Sequence, residues 1–158
     1  MPTDDAPLRD DELLIVRTFD APLALVWRIW EDVDHMRGWW GPEGFTVLSL
    51  HSDFRPGGRW RANMTSPVWG ENWSGGRYTA IERHQRIVFT FAWEEGSGST
   101  NEMLTTVTFE EHDGRTTQRF HQAPFLDVET RDGHTVGWGT HLAREQAYAE
   151  KLARSAAG

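Results

Sequence analysis

Cysteine is absent from the 158 residues, so the chain has no disulfide framework and no thiolate for zinc or covalent catalysis, and a reducing compartment suits it. No stretch approaches the roughly 18 apolar residues of a membrane span. The opening MPTDDAPLRDDE is acidic and polar, unlike the basic and then apolar start of a secretory signal. Basic side chains are in deficit, 16 against 24 acidic, for a formal net charge of −8. Such a balance repels phosphate backbones and excludes nucleic acid and anionic membranes as expected partners. There is no G-x-S-x-G elbow and no H-E-x-x-H pair, so no nucleophile or metal site is expected. His134 and His141, seven apart, lack a third ligand at metal spacing. A cytoplasmic protein without a cofactor is the expectation.

Large aromatics, by contrast, are abundant: nine Trp and eight Phe, more than filling a small core demands. The length suits one domain, taken as residues 12–154 after a flexible tail of residues 1–11. ELLIVRTF reads as a strand. Pro22 then opens a helix through LALVWRIWEDV, and Asp34 caps a short second helix, HMRGWW. From Phe45 to Gln122 the apolar period becomes two. The runs FTVLSLHSDF, GRWRANM, WSGGRYTAIE, RIVFTFAW, EMLTTVTFEE and RTTQRFHQ, parted by short turns, predict an antiparallel meander. APFLDVETRDG reads as a loop, and the last 20 or so residues as a helix. The order predicts an α+β fold in which a curved antiparallel sheet of about seven strands wraps a long C-terminal helix.

Within VGWGTHLAREQAYAEKL, Trp138, Leu142, Glu145, Ala149 and Leu152 are spaced to share one helix face. A carboxylate amid an inward face is costly without a partner. Glu145 therefore either sits near an exposed end, pairs with an arginine such as Arg61 or Arg77, or serves a cavity as polar anchor or general acid/base. The strand row shared with Phe120 carries Thr116, Gln118 and Gln122. Those amides either meet a ligand from the sheet floor or face water. His121, of the opposite parity, belongs on the convex face.

FDAPLALVWRIW, WWGPEGF, DFRPGGRW, IVFTFAW and VGWGTHL, in this order, resemble the activator of Hsp90 ATPase homologue 1-like proteins of the START/Bet v 1-like (SRPBCC) helix-grip superfamily. The resemblance covers the chain from about residue 12. It implies a helix-grip fold and leaves several functions open, because such folds host cyclases, lipid carriers, hormone receptors and co-chaperone domains. Members usually carry leucine where Glu145 stands.

The leading expectation is a protein that binds a small apolar or aromatic molecule between the C-terminal helix and the sheet, as a monomer or homodimer. Walls would come from Trp39, Trp40, Trp60, Met64, Trp73, Phe91, Trp93, Phe120, Trp138 and Leu142, some of them plain core. Gln118, Gln122 and Glu145 would orient the ligand. Alternatives are a polyketide cyclase or dehydratase-like enzyme using Glu145 as its one catalytic candidate, and an interaction module that meets a protein partner through its outer surface.

Overall fold

Alternation of large apolar and polar side chains, interrupted by Gly and Asp turns, produces a seven-stranded antiparallel sheet in the computed structural model, which describes residues 8–157. The strands are β1 (Leu13–Phe19), β2 (Thr46–Ser52), β3 (Arg59–Ser66), β4 (Gly70–Glu82), β5 (Arg86–Trp93), β6 (Met103–His112) and β7 (Arg115–Ala123). β2 to β7 follow one another as a meander, and β1 closes the order beside β7. Trp60, Ala62 and Met64 of β3, with Ile87, Phe89 and Phe91 of β5, are buried on the concave side.

Between β1 and β2 lie α1 (Leu23–Glu31) and α2 (Val33–Met36). Asp32, not the expected Asp34, caps α2: its side chain accepts from the Asp34 amide. α2 ends at Met36, two residues before Gly38, whose position against the Tyr148 ring leaves no room for a side chain.

The concave face wraps α3, which runs Val128–Ala157, 30 residues. It starts well before the predicted helix. Asp127 accepts from the Thr130 amide at 2.7 Å, an N-terminal cap, and the helix takes in Gly133 of the expected loop and continues through Gly137 and Gly139. An added Cβ at any of the three would meet nothing within 4 Å. Their cost is conformational, about 1 kcal/mol each against alanine, and the packing of α3's second half carries it.

Residues 8–11 of the expected tail form a turn tied to the domain, with the Phe125 amide donating to the Asp11 carbonyl and Arg131 to the Asp10 carbonyl. Residues 1–7 lie outside the described ones. Among the described residues no helix is long and apolar enough to cross a membrane.

Candidate functional site

The α3 face behaves as its spacing requires: Trp138, Leu142, Glu145 and Ala149 are all buried, and Leu152 packs against the core. Glu145, fully enclosed, is held by neutral donors. Trp30 Nε1 donates to one carboxyl oxygen and Gln118 Nε2 to the other, each at 2.8 Å. Arg61 and Arg77 stand on the other face of the sheet, out of reach. The nearest cationic influence is Arg17 of β1, which donates to Gln146 Oε1 and the Gly139 carbonyl and makes no ion pair with Glu145. Burial therefore dominates and pushes the Glu145 carboxyl up to about 8, against the opposing pull of Gln118, Trp30 and Arg17. At neutral pH it is mostly a neutral acid that still accepts through its oxygens.

Gln122 mirrors this one layer along the sheet. Its Nε2 donates to Thr105 Oγ1 and its Oε1 accepts from Trp138 Nε1, both at 2.9 Å. Gln118 and Gln122 thus lie inward and buried, and their amides tie β7 to α3. Phe120, between them, packs at a tilt against Trp138 with centroids 4.5 Å apart. His121 sits on the opposite face against Glu12 Oε1 at 3.0 Å.

At the start of the buried stretch of α3, three side chains hold the segment after α2. Gly41 N donates to His141 Nε2, Glu43 N to Thr140 Oγ1, and Arg144 Nη1 donates to the Gly41 carbonyl. The His141 ring is enclosed by Trp39, Trp40 and Trp138. Burial first, then Arg144, lower its pKa to about 3, so the ring is neutral and its Nε2 is free to accept. His134, nearer the start of α3, accepts a hydrogen bond from Trp93 Nε1 at 3.0 Å, and burial holds its pKa below the usual value.

Trp40 and Trp60 meet edge to face at 5.5 Å, and Trp60 leads on to Phe91 and Trp138. Between Trp30, Met36, Trp40, Trp60, Tyr78 and Phe89 remains a void of only about 10 Å³, room for one water at most. Side chains fill the space where a cavity was expected. Two polar atoms nearby are unsatisfied: Trp40 Nε1 and Ser74 Oγ are buried without a hydrogen-bond partner. Register places Ser74 opposite Ala62, next along the concave row from Trp60. Met64 packs at 3.2 Å from the Cβ that Gly41 would carry, beneath the clamped segment.

Trp73 does not join the others. It lies on the convex face with the Arg61 guanidinium 3.8 Å above its ring. Four contributors escaped sequence reasoning. Trp30 and Thr105 find their partners at long range, which no local pattern reveals. His141 was weighed only as a metal ligand. Ser74 was legible in principle, since it shares the inward parity of Tyr78 in β4.

A profile of the activator of Hsp90 ATPase homologue 1-like family matches residues 20–150. No protein of curated function matches the sequence. A crystal structure of a Chromobacterium violaceum protein superposes with a TM-score of 0.78 at 25% identity, covering 89% of this chain and 98% of that one. A solution structure of an Arthrobacter aurescens protein gives 0.77 at 25%, covering 93% and 90%. A crystal structure of a Silicibacter pomeroyi member of the same family gives 0.77 at 23%, covering 86% and 95%. With the profile spanning most of the chain and the helix-grip topology shared throughout, the chain belongs to the activator of Hsp90 ATPase homologue 1-like family of the SRPBCC superfamily.

Proposed function

We propose that the protein binds a small, uncharged aromatic molecule bearing an oxygen acceptor, between the first half of α3 and the concave aromatic face. The observation that carries this reading is Trp40: it lines the interior void, and its buried Nε1 has no acceptor. A buried unsatisfied donor costs about 1–3 kcal/mol, and a ligand oxygen would remove that cost. Ser74 Oγ is a second unused group on the same face. Charge is disfavoured because Arg17 and Arg144, half-buried cations beside the inner part of α3, already serve carbonyls and an amide.

The site has to open, since the void is too small for a ligand. The means lie in α3 itself. Between residues 128 and 140 Trp138 alone is buried, and three glycines interrupt the segment. Few buried contacts and weak helix propensity are what local opening requires. The catalytic reading is weaker, because Trp30 stands between the Glu145 carboxyl and the void and engages that carboxyl itself.

Titration with 2-naphthol, followed by tryptophan emission, tests the proposal. Saturation at about one equivalent is expected, with Trp40→Phe weakening binding roughly tenfold for the loss of one hydrogen bond. Absence of saturable binding by a panel of uncharged phenols and naphthols would overturn it.

A further inference from the structure

The convex face of the sheet contains an arrangement that the interior site does not use. Arg59 of β3 and Arg77 of β4 are directly opposite in register, and both side chains are exposed on the face away from α3. Like charges facing each other across a strand pair repel, so such pairs usually have a carboxylate between them. Here neither guanidinium has a hydrogen bond or ion pair among the described residues. The local carboxylates are already committed: Asp53 to Arg55 at 2.8 Å, and Glu94 to Arg61 through two bonds of 2.7 and 2.8 Å.

Two residues along β3, about 7 Å away, the face changes character. The Arg61 guanidinium sits over the Trp73 ring, and beside them opens a groove of about 370 Å³ whose wall includes Leu48, His51 and Arg37. Leu48 is 53% exposed, an apolar side chain with nothing over it. The floor between groove and arginine pair is bare. Gly75 faces outward there, opposite Arg61 on one side and Ala92 on the other. A Cβ on Gly75 would come within 2.9 Å of the Trp60 carbonyl, so the flat floor is built into the backbone approach.

We propose that this convex face of β2, β3 and β4 docks an extended acidic segment of a protein partner, whose carboxylates bridge Arg59 and Arg77 while an aromatic or large apolar side chain a few residues away fills the groove against Leu48 and Trp73. Arginine suits carboxylate recognition because its planar fork donates to two oxygens at once. The pairing of cations with an apolar groove favours a peptide over a small anion, which would leave the groove unused. The net charge of −8 opposes a long polyanion such as nucleic acid while leaving a short acidic segment free to approach a local basic patch.

Fluorescence anisotropy with a labelled glutamate-rich decapeptide carrying one central phenylalanine tests this in low salt. Saturable binding is expected, weakened at least tenfold in the Arg59→Gln/Arg77→Gln double variant and abolished when lysine replaces the peptide's glutamates. Inorganic phosphate at millimolar concentration should not displace the peptide, and a single-stranded oligonucleotide should bind far more weakly. The same double variant should melt higher than the parent at low salt, because the substitution relieves a repulsion that no internal partner offsets. No saturable binding, or equal binding by the double variant, would overturn the proposal. Full displacement by phosphate would make it a small-anion site, oligonucleotide binding of equal strength would make it a polyphosphate site, and a lower melting temperature would make the arginines structural; each contradicts an acidic peptide surface.

Discussion

Glu145 stands on an otherwise apolar helix face, and its neighbours have adjusted to it: the Trp30 indole and the Gln118 amide both donate to its oxygens. Glu145→Leu would remove a costly carboxyl but leave those two buried donors short of an acceptor, Trp30 retaining only Gln118 Oε1 at 3.2 Å. At about pH 5.5, where Glu145 is neutral, the loss should exceed the gain and destabilise the protein by about 1–3 kcal/mol. At about pH 9 the native protein carries a buried anion, and the variant should lose its disadvantage. Urea unfolding at the two pH values checks the crossover. Glu145→Gln, which keeps one of the two acceptor oxygens, should cost less than Glu145→Leu at the lower pH. That Glu145 faces inward was legible from spacing alone, because Trp138, Leu142 and Ala149 share its face. Its partners were not. Trp30 is 115 residues away, and only the completed fold brings α1, β7 and α3 together.

α3 is two elements under one hydrogen-bonding pattern. From His141 onward it is anchored by Leu142, Glu145 and Ala149, whereas the stretch from Val128 to Gly139 buries only Trp138 and contains three glycines. Amide exchange should reveal the division, with residues 128–139 exchanging faster than residues 141–152. Because nothing lies near their missing side chains, Gly137→Ala and Gly139→Ala should each stabilise the protein by about 1 kcal/mol, a rise of about 2–4 °C in Tm. If opening of this segment admits the ligand, the double variant should also slow naphthol association in stopped-flow measurements. A fall in Tm would mean that the glycines answer a packing need that the structure does not contain. The strands were legible because period two persists through β3, β5 and β7. The early start of α3 was not: the glycines that weaken it resemble loop residues in sequence, while the Asp127 cap and the packing of Trp138 decide the matter in the fold.

At the scale of the whole molecule, two buried titratable groups act in opposite directions on stability. His141, held neutral with its pKa lowered to about 3, contributes stability that is present above its ordinary value and lost as pH falls toward 3. Glu145, held protonated with its pKa raised to about 8, contributes stability that is present below its ordinary value and lost as pH rises through 8. Between the two ordinary values, 4.5 and 6.5, the opposing slopes offset each other, and stability should be flat there. Beyond that window each pH unit costs up to about 1.4 kcal/mol. Chemical unfolding across pH should show a plateau with two flanks. Glu145→Gln should remove the alkaline flank and His141→Gln the acid flank, each leaving the other group's slope to run through the former plateau between 4.5 and 6.5; a profile unmoved by either would show that these groups do not govern it.

The overall architecture was readable because its signals are long and periodic, and the family resemblance rests on motifs that mark those same elements. How far side chains fill the interior was not readable, since Trp30, Trp60 and Phe89 from three elements and Trp40 from the segment after α2 converge on one void. The central claim concerns what happens to that void when a ligand arrives, and nine indole N–H groups report on it at once. In a ¹H–¹⁵N spectrum of protein labelled at tryptophan, titrated with 2-naphthol and assigned through Trp40→Phe, the Trp40 indole signal should shift furthest and saturate at about one equivalent, with Trp60 and Trp138 following. The signals of Trp69, which is exposed, and of Trp73, on the convex face, should stay in place. Movement of Trp69 or Trp73 with Trp40 unchanged would contradict an interior binding site.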